Sequence, residues 1–133
     1  MKLFSLENSL KYLFLLLPIT IITGPFLADA NCSLLALLFL INSFKKSLKY
    51  YYINKIAIIF FIFSAYLIFT SMLSTDFILS LESTLFYFRF GFFSLSIWYI
   101  LNQYGEEILR KFYIIFLIVF IFLIFDGYFQ YFF

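Results

Sequence analysis

The sequence predicts an all-α protein, a polytopic bundle of about five transmembrane helices with its N-terminus in the cytoplasm. Apolar residues make up 65% of the chain and charged residues only 12%, against about 25% charged residues in a typical soluble domain. The basic residues fall in short clusters separated by long apolar runs. This alternation is typical of a multi-span membrane protein whose Lys and Arg loops stay in the cytoplasm.

The lengths of the apolar runs set the number of spans, because a hydrocarbon core about 30 Å thick needs about 20 helical residues. Residues 1–133 are predicted to form one transmembrane region with spans over residues 8–24, 27–44, 56–74, 84–102 and 112–131. The first two spans form a hairpin that turns at Gly24-Pro25, since proline breaks the helical hydrogen-bond ladder and favours an extended residue before it. Pro18 is expected to kink the first span.

The charges on the loops predict the orientation. With the N-terminus inside, five spans place every Lys and Arg except Arg89 in the cytoplasm and leave none in the outside loops. The outside segments carry the acidic residues Asp29, Asp76 and Glu82. Four spans, or the inverted orientation, lose this partition. One alternative is that the first span is a secretory signal cleaved after Ala28-Asp29-Ala30, which changes the topology by one crossing.

The residue types exclude several functions. The chain has no His and a single cysteine, Cys32, so His catalysis, His metal ligation and an intramolecular disulfide are impossible within it. It also lacks a glycine-rich phosphate loop and a nucleophile–base pair, so we predict no catalytic residue, no metal and no cofactor. A net charge of +2 is too small to indicate nucleic acid, and membrane lipids are the expected partners. The cluster Lys45–Lys55 is interpreted as a topogenic loop with a secondary attraction for anionic lipids.

Arg89 is the candidate binding residue, because a charge inside a span costs about 2.5–3.5 kcal/mol and normally faces the protein interior or a wet cavity. A spacing of seven places Arg89 near one line of its helix with Glu82, Ser96 and Gln103. Its guanidinium could hold an anionic lipid headgroup. Alternatively it snorkels and pairs with Glu82 or Asp126 for folding alone. Asp126, about 21 Å along the last span from Phe112, is its candidate partner at a comparable depth.

Three segments resemble the opening spans of the O-antigen ligase/polymerase family: Leu17–Asp29 (LPITIITGPFLAD), Tyr87–Phe90 (YFRF) and Asp126–Tyr131 (DGYFQY). Members of this family are bacterial inner-membrane enzymes with about twice as many spans. They transfer undecaprenyl-pyrophosphate-linked glycan on the periplasmic face, in lipopolysaccharide or surface-polysaccharide synthesis. The resemblance implies an inner-membrane location and a role for Arg89 at the periplasmic anionic site.

The family's large periplasmic loop, with its essential His, follows the spans that this chain resembles and has no counterpart here. We therefore expect the chain to be an N-terminal fragment that does not transfer glycan alone. The alternative is a small non-enzymatic multi-pass protein, such as a transporter subunit or an assembly factor.

The topology prediction can be tested with reporter fusions. A reporter fused after Asn54 should behave as cytoplasmic and one fused after Ser80 as periplasmic, because the loop charges place these points on opposite sides. Labelling of Cys32 by a membrane-impermeant reagent should occur, if at all, from the periplasmic side only. Opposite reporter signals at the two fusion points would exclude the predicted five-span topology.

Overall fold

The computed structural model describes residues 2–46 and 48–132, and this part of the chain contains helices and no strand. The helices are α1 (Lys2–Thr23), α2 (Pro25–Lys46), the short α3 (Lys49–Tyr52), α4 (Lys55–Met72) and α5 (Phe77–Phe132). Within the described residues, four of them (α1, α2, α4 and α5) are long and apolar enough to cross a membrane, by length and composition. The predicted all-α class is confirmed.

Helix α5 contains both of the last two predicted spans. Its 56 residues correspond to about 84 Å of helix, far more than one crossing needs. At Gly105 the backbone leaves the helical region, with φ 56° and ψ −141°, and divides α5 into a first arm, residues 77–104, and a second arm, residues 106–132. One predicted span lies in each arm, so the crossings are joined at a helical break.

Helix α5 extends beyond the two predicted spans, residues 84–102 and 112–131, whose bounds stay predictions. Residues 103–111 are helical apart from Gly105, and α5 begins at Phe77 rather than near residue 84. Residues after Gly105 are mostly strong helix formers, and Lys111 forms an i,i+4 ion pair with Glu107. The hydrogen bond from Lys111 lowers the pKa of the exposed Glu107 carboxyl. The apolar run ends near residue 102, but helix formation continues without it.

The turn between α1 and α2 consists of Gly24 alone, as the sequence predicts. Its φ of 127° is a conformation that side chains with a Cβ rarely adopt, and Pro25 then starts α2 at a position where its missing N–H costs nothing. Pro18 lies inside α1 without ending the helix. Residues 28–30, the alternative cleavage site, lie in α2 rather than in a loop.

The chain forms two compact units, of which unit 1 comprises Met1–Asn31 and Ile100–Phe133. In this unit Lys11 Nζ lies 5.0 Å from the centre of the Tyr104 ring, and Phe14 stacks on Phe112 with ring centres 5.0 Å apart. The contacts advance along both segments in the same order, so α1 and this part of α5 run parallel. The first and fifth spans should be parallel in a protein whose successive spans cross the membrane in alternating directions.

Asn31 fastens the start of α2 to α1 within unit 1. Its buried Nδ2 donates hydrogen bonds to the carbonyl of Leu13 and to Thr20 Oγ1, both at 3.2 Å. Pro18 removes one N–H from the helical ladder of the same turns of α1. Side chains of neighbouring helices commonly compensate for such an interruption within a membrane.

Unit 2, Cys32–Tyr99, packs α4 against the first arm of α5. Near one end of α4, Phe60 makes an edge contact with Phe88, and near the other end Ser71 Oγ lies 2.6 Å from Thr84 Oγ1. The two segments are therefore antiparallel. Helix α2 runs parallel to the same arm, because Asn42 Nδ2 donates to Tyr99 Oη at 3.1 Å and residues near the other end of α2 contact the arm further toward its start.

Replacing Asn31 with Ala should destabilise the α1–α2 hairpin, because the change removes two buried hydrogen bonds. Such bonds within membrane proteins are worth about 0.6–2 kcal/mol. The measurement is reversible unfolding in mixed micelles by circular dichroism. The matched control is Asn102→Ala, at an exposed position of α5, which should leave the unfolding midpoint unchanged. Equal midpoints for the two variants would contradict a fastening role for Asn31.

Candidate functional site

Arg89 is held on the first arm of α5 by contacts with two helices. Its Nη1 donates to Ser33 Oγ of α2 at 3.3 Å. On its own helix, the guanidinium carbon lies 5.3 Å from the ring centre of Phe86 and 4.9 Å from that of Phe90. Both distances are within the range of cation–π attraction. The aromatic rings and the serine therefore fix the direction of a half-buried cation.

The predicted line of polar residues is present in part. Glu82 and Arg89 line the same cavity, and Ser96 is fully buried. Gln103 and Glu82 are both exposed. Trp98 contacts Tyr51, away from the Ser33 contact that Arg89 makes, as a separation of nine residues on a helix predicts.

An open cavity of about 380 Å³ lies beside the guanidinium. It is lined by Ser33, Glu82, Leu85, Phe86 and Arg89. A guanidinium presents several N–H donors in a planar fork that matches phosphate and carboxylate geometry, and Nη1 uses one of these donors on a neutral hydroxyl. An anion could therefore replace the neutral serine acceptor with an ionised one, which strengthens the hydrogen bond. The Glu82 carboxylate repels anions from one wall and restricts them to the arginine side.

Asp126 lies in the second arm of α5, in unit 1, whereas Arg89 belongs to unit 2. The carboxylate oxygen Oδ2 of Asp126 accepts a hydrogen bond from Gln130 Nε2 at 2.9 Å, one turn further along the same helix. Both residues are exposed, and a Cβ added to the neighbouring Gly127 would meet open space. The pairing of Arg89 with Asp126 stays a prediction.

The serine partner of Arg89 was not found from the sequence. Ser33 lies 56 residues from Arg89 and has no feature that distinguishes it from other serines in apolar runs. The contact with Phe86 could have been found, because residues three apart are neighbours on a helix surface. The contact with Phe90 could not be found by the same rule, because adjacent residues do not face each other on a helix. In the described part of the chain, no group of three or more His, Cys, Asp or Glu residues could hold a metal ion.

No protein-family model, no curated protein and no solved structure matches this chain.

The Arg89–Asp126 hypothesis predicts coupling between two substitutions. If the residues pair, Arg89→Ala and Asp126→Ala should each lower the amount of protein in the membrane, because each leaves the other charge uncompensated. The double variant should lose less than the sum, with a coupling of about 0.5–3 kcal/mol in unfolding measurements, as for residues in contact.

The control for this cycle is Arg110→Ala combined with Asp126→Ala, because Arg110 is exposed and lies between the predicted spans. The losses of membrane protein level in these two control variants should be additive. If the losses for Arg89→Ala and Asp126→Ala are additive as well, the two residues do not pair.

Proposed function

We propose that this protein belongs to the membrane machinery that handles undecaprenyl-pyrophosphate-linked glycan, in the manner of O-antigen ligases and polymerases. In this proposal it resides in a bacterial inner membrane and binds the pyrophosphate of the lipid-linked glycan near the periplasmic face. The given residues resemble the opening spans of such an enzyme and include no His for catalysis.

The observation that supports the proposal most is the fixed position of Arg89. A lone arginine that only snorkels needs no neighbouring helix, since its long side chain can reach the interface by itself. Here Ser33 and two aromatic rings direct the guanidinium beside an open cavity. A pyrophosphate is a suitable ligand for this group, because arginine binds phosphate oxygens in a bidentate manner.

The positions of the three resemblance segments give further support. Gly24-Pro25 forms the turn between α1 and α2, which the charge pattern places on the periplasmic side. The segment around Arg89 lies in the first arm of α5. By the same charge pattern, Asp126-Gly127 lies in the outer part of the membrane, so all three segments are predicted near one face.

Binding can be tested with the purified chain in nanodiscs, using undecaprenyl pyrophosphate as the probe and native mass spectrometry as the readout. The wild-type chain should retain the probe, Arg89→Gln should lose at least about tenfold in affinity, and Arg89→Lys should lose less. A charge-assisted hydrogen bond of about 1.5–3 kcal/mol corresponds to such a change. The matched control is Arg110→Gln, which removes one positive charge elsewhere. Equal retention by Arg89→Gln and Arg110→Gln would exclude the site.

The alternative is a small non-enzymatic multi-pass protein, such as a transporter subunit or an assembly factor. The exposure of the apolar residues in the second arm of α5 favours a protein that packs against further helices, from a longer chain or from a partner. Sequencing the transcript beyond the Phe133 codon separates the two. Further spans with a His-bearing loop support the glycan-transfer machinery, whereas an immediate stop codon favours the subunit.

A further inference from the structure

A second cavity lies in unit 2, between α4 and the first arm of α5, and it is separate from the site at Arg89. Its volume is about 320 Å³, within the range of about 300–1,000 Å³ found for small-molecule sites. The lining is apolar and aromatic with few polar groups: Asn54, Ile56, Ala57, Phe60, Phe61, Gly91, Ser94, Leu95 and Trp98. The cavity thus has the chemistry of a site for a hydrocarbon chain.

Because Gly91 has no side chain, the Phe60 ring of α4 can approach the backbone of α5 closely beside the cavity. A Cβ at this position would overlap the ring of Phe60, so the absence of a side chain lets the ring lie against the backbone of α5. From Gly91 to Trp98 the lining extends about 10 Å along the helix. This is a narrow crevice that follows the helix axis, the direction in which an acyl chain lies in a bilayer.

Two exposed lysines lie next in sequence to residues at the polar end of the crevice. Asn54 lines the cavity at the start of α4 and makes no side-chain capping hydrogen bond. The first backbone N–H groups of a helix have no partner within the helix and attract anions such as phosphate. Lys55 follows at once and is exposed. Lys49 is also exposed and precedes Tyr50, whose ring contacts Trp98 in the cavity lining.

We propose that this crevice binds a phospholipid with an anionic headgroup, taken from the leaflet on the lysine side of the membrane. The acyl chain lies against Phe60, Phe61 and Trp98, and the phosphate lies at Asn54 and the start of α4. Lys49 and Lys55 select the anionic headgroup. The ligand is a phospholipid rather than a free anion, because most of the lining is apolar. Basic residues near a membrane surface attract anionic lipids, by about fivefold in affinity for each residue.

The single tryptophan of the chain makes a direct test possible, because Trp98 lines the crevice. The protein is placed in phosphatidylcholine nanodiscs that contain a minor fraction of lipid brominated near the headgroup end of its acyl chain. Bromine quenches tryptophan on contact. Brominated phosphatidylglycerol should quench Trp98 at a fraction at least about fivefold lower than brominated phosphatidylcholine. Equal quenching by the two lipids would overturn the proposal.

Two sets of variants test headgroup selection and acyl-chain binding separately. Lys49→Gln with Lys55→Gln should abolish the preference for phosphatidylglycerol, whereas the control Arg110→Gln with Lys111→Gln, which removes the same charge elsewhere, should keep it. Ser94→Phe should fill the crevice and reduce quenching by phosphatidylglycerol to the phosphatidylcholine level. Its control is Ser83→Phe, because both serines are exposed and donate to the carbonyl four residues earlier in α5.

Three results would exclude a lipid at this site. A preference that survives the lysine changes, or one that Ser83→Phe abolishes as fully as Ser94→Phe, would show that the crevice does not select the lipid. Quenching by neither lipid would show that protein, such as a second copy of the chain, covers Trp98. If Ser94→Phe does not fold, as judged by gel filtration and circular dichroism, the lysine pair decides the question.

Discussion

The packing of this protein depends on the need to satisfy polar groups inside an apolar environment. A membrane interior offers little water, so amides and hydroxyls within a span gain from hydrogen bonds to neighbouring helices. Asn31 bonds a carbonyl and a hydroxyl of α1, Asn42 bonds the hydroxyl of Tyr99, and Ser71 meets Thr84. Apolar side chains can pack against lipid as well as against protein, so these few polar contacts determine which helix faces meet.

Contacts between aromatic rings add to the packing that the polar contacts direct. In unit 2, Phe39 contacts Tyr51 and Tyr99, and the Tyr99 hydroxyl accepts the hydrogen bond from the buried Asn42 amide. Aromatic pairs at such distances add about 0.5–1.5 kcal/mol each beyond the burial of their area. Because Asn42 is fully buried, leaving this hydrogen bond unmade would be costly. The same arrangement leaves other apolar surface, mostly on the second arm of α5, for lipid or for further helices.

The sequence predicted the helices and the Gly24-Pro25 turn, because these follow from local rules of length and proline chemistry. Of the line of polar residues that helical spacing indicated, Ser96 is buried, whereas Glu82 and Gln103 are exposed. The sequence did not predict the helical continuity around Gly105, because an apolar pattern marks the part of a helix in lipid, while strong helix formers extend the helix beyond it. It also missed Ser33, since a contact between distant segments leaves no periodic pattern in a single chain. The charge of Arg89 within an apolar run indicated a candidate site, but its contact with Ser33 is known only from the structure.

The turn at Gly24 has a consequence for biosynthesis. A connection of one residue leaves no hydrophilic segment that could stay in water on the far side of the membrane while α2 is synthesised. If α1 and α2 both cross the membrane, they would therefore enter the bilayer together as a hairpin. The free energy of insertion would then belong to the hairpin as a whole. The apolar residues of α1 would offset the cost of inserting the less apolar start of α2.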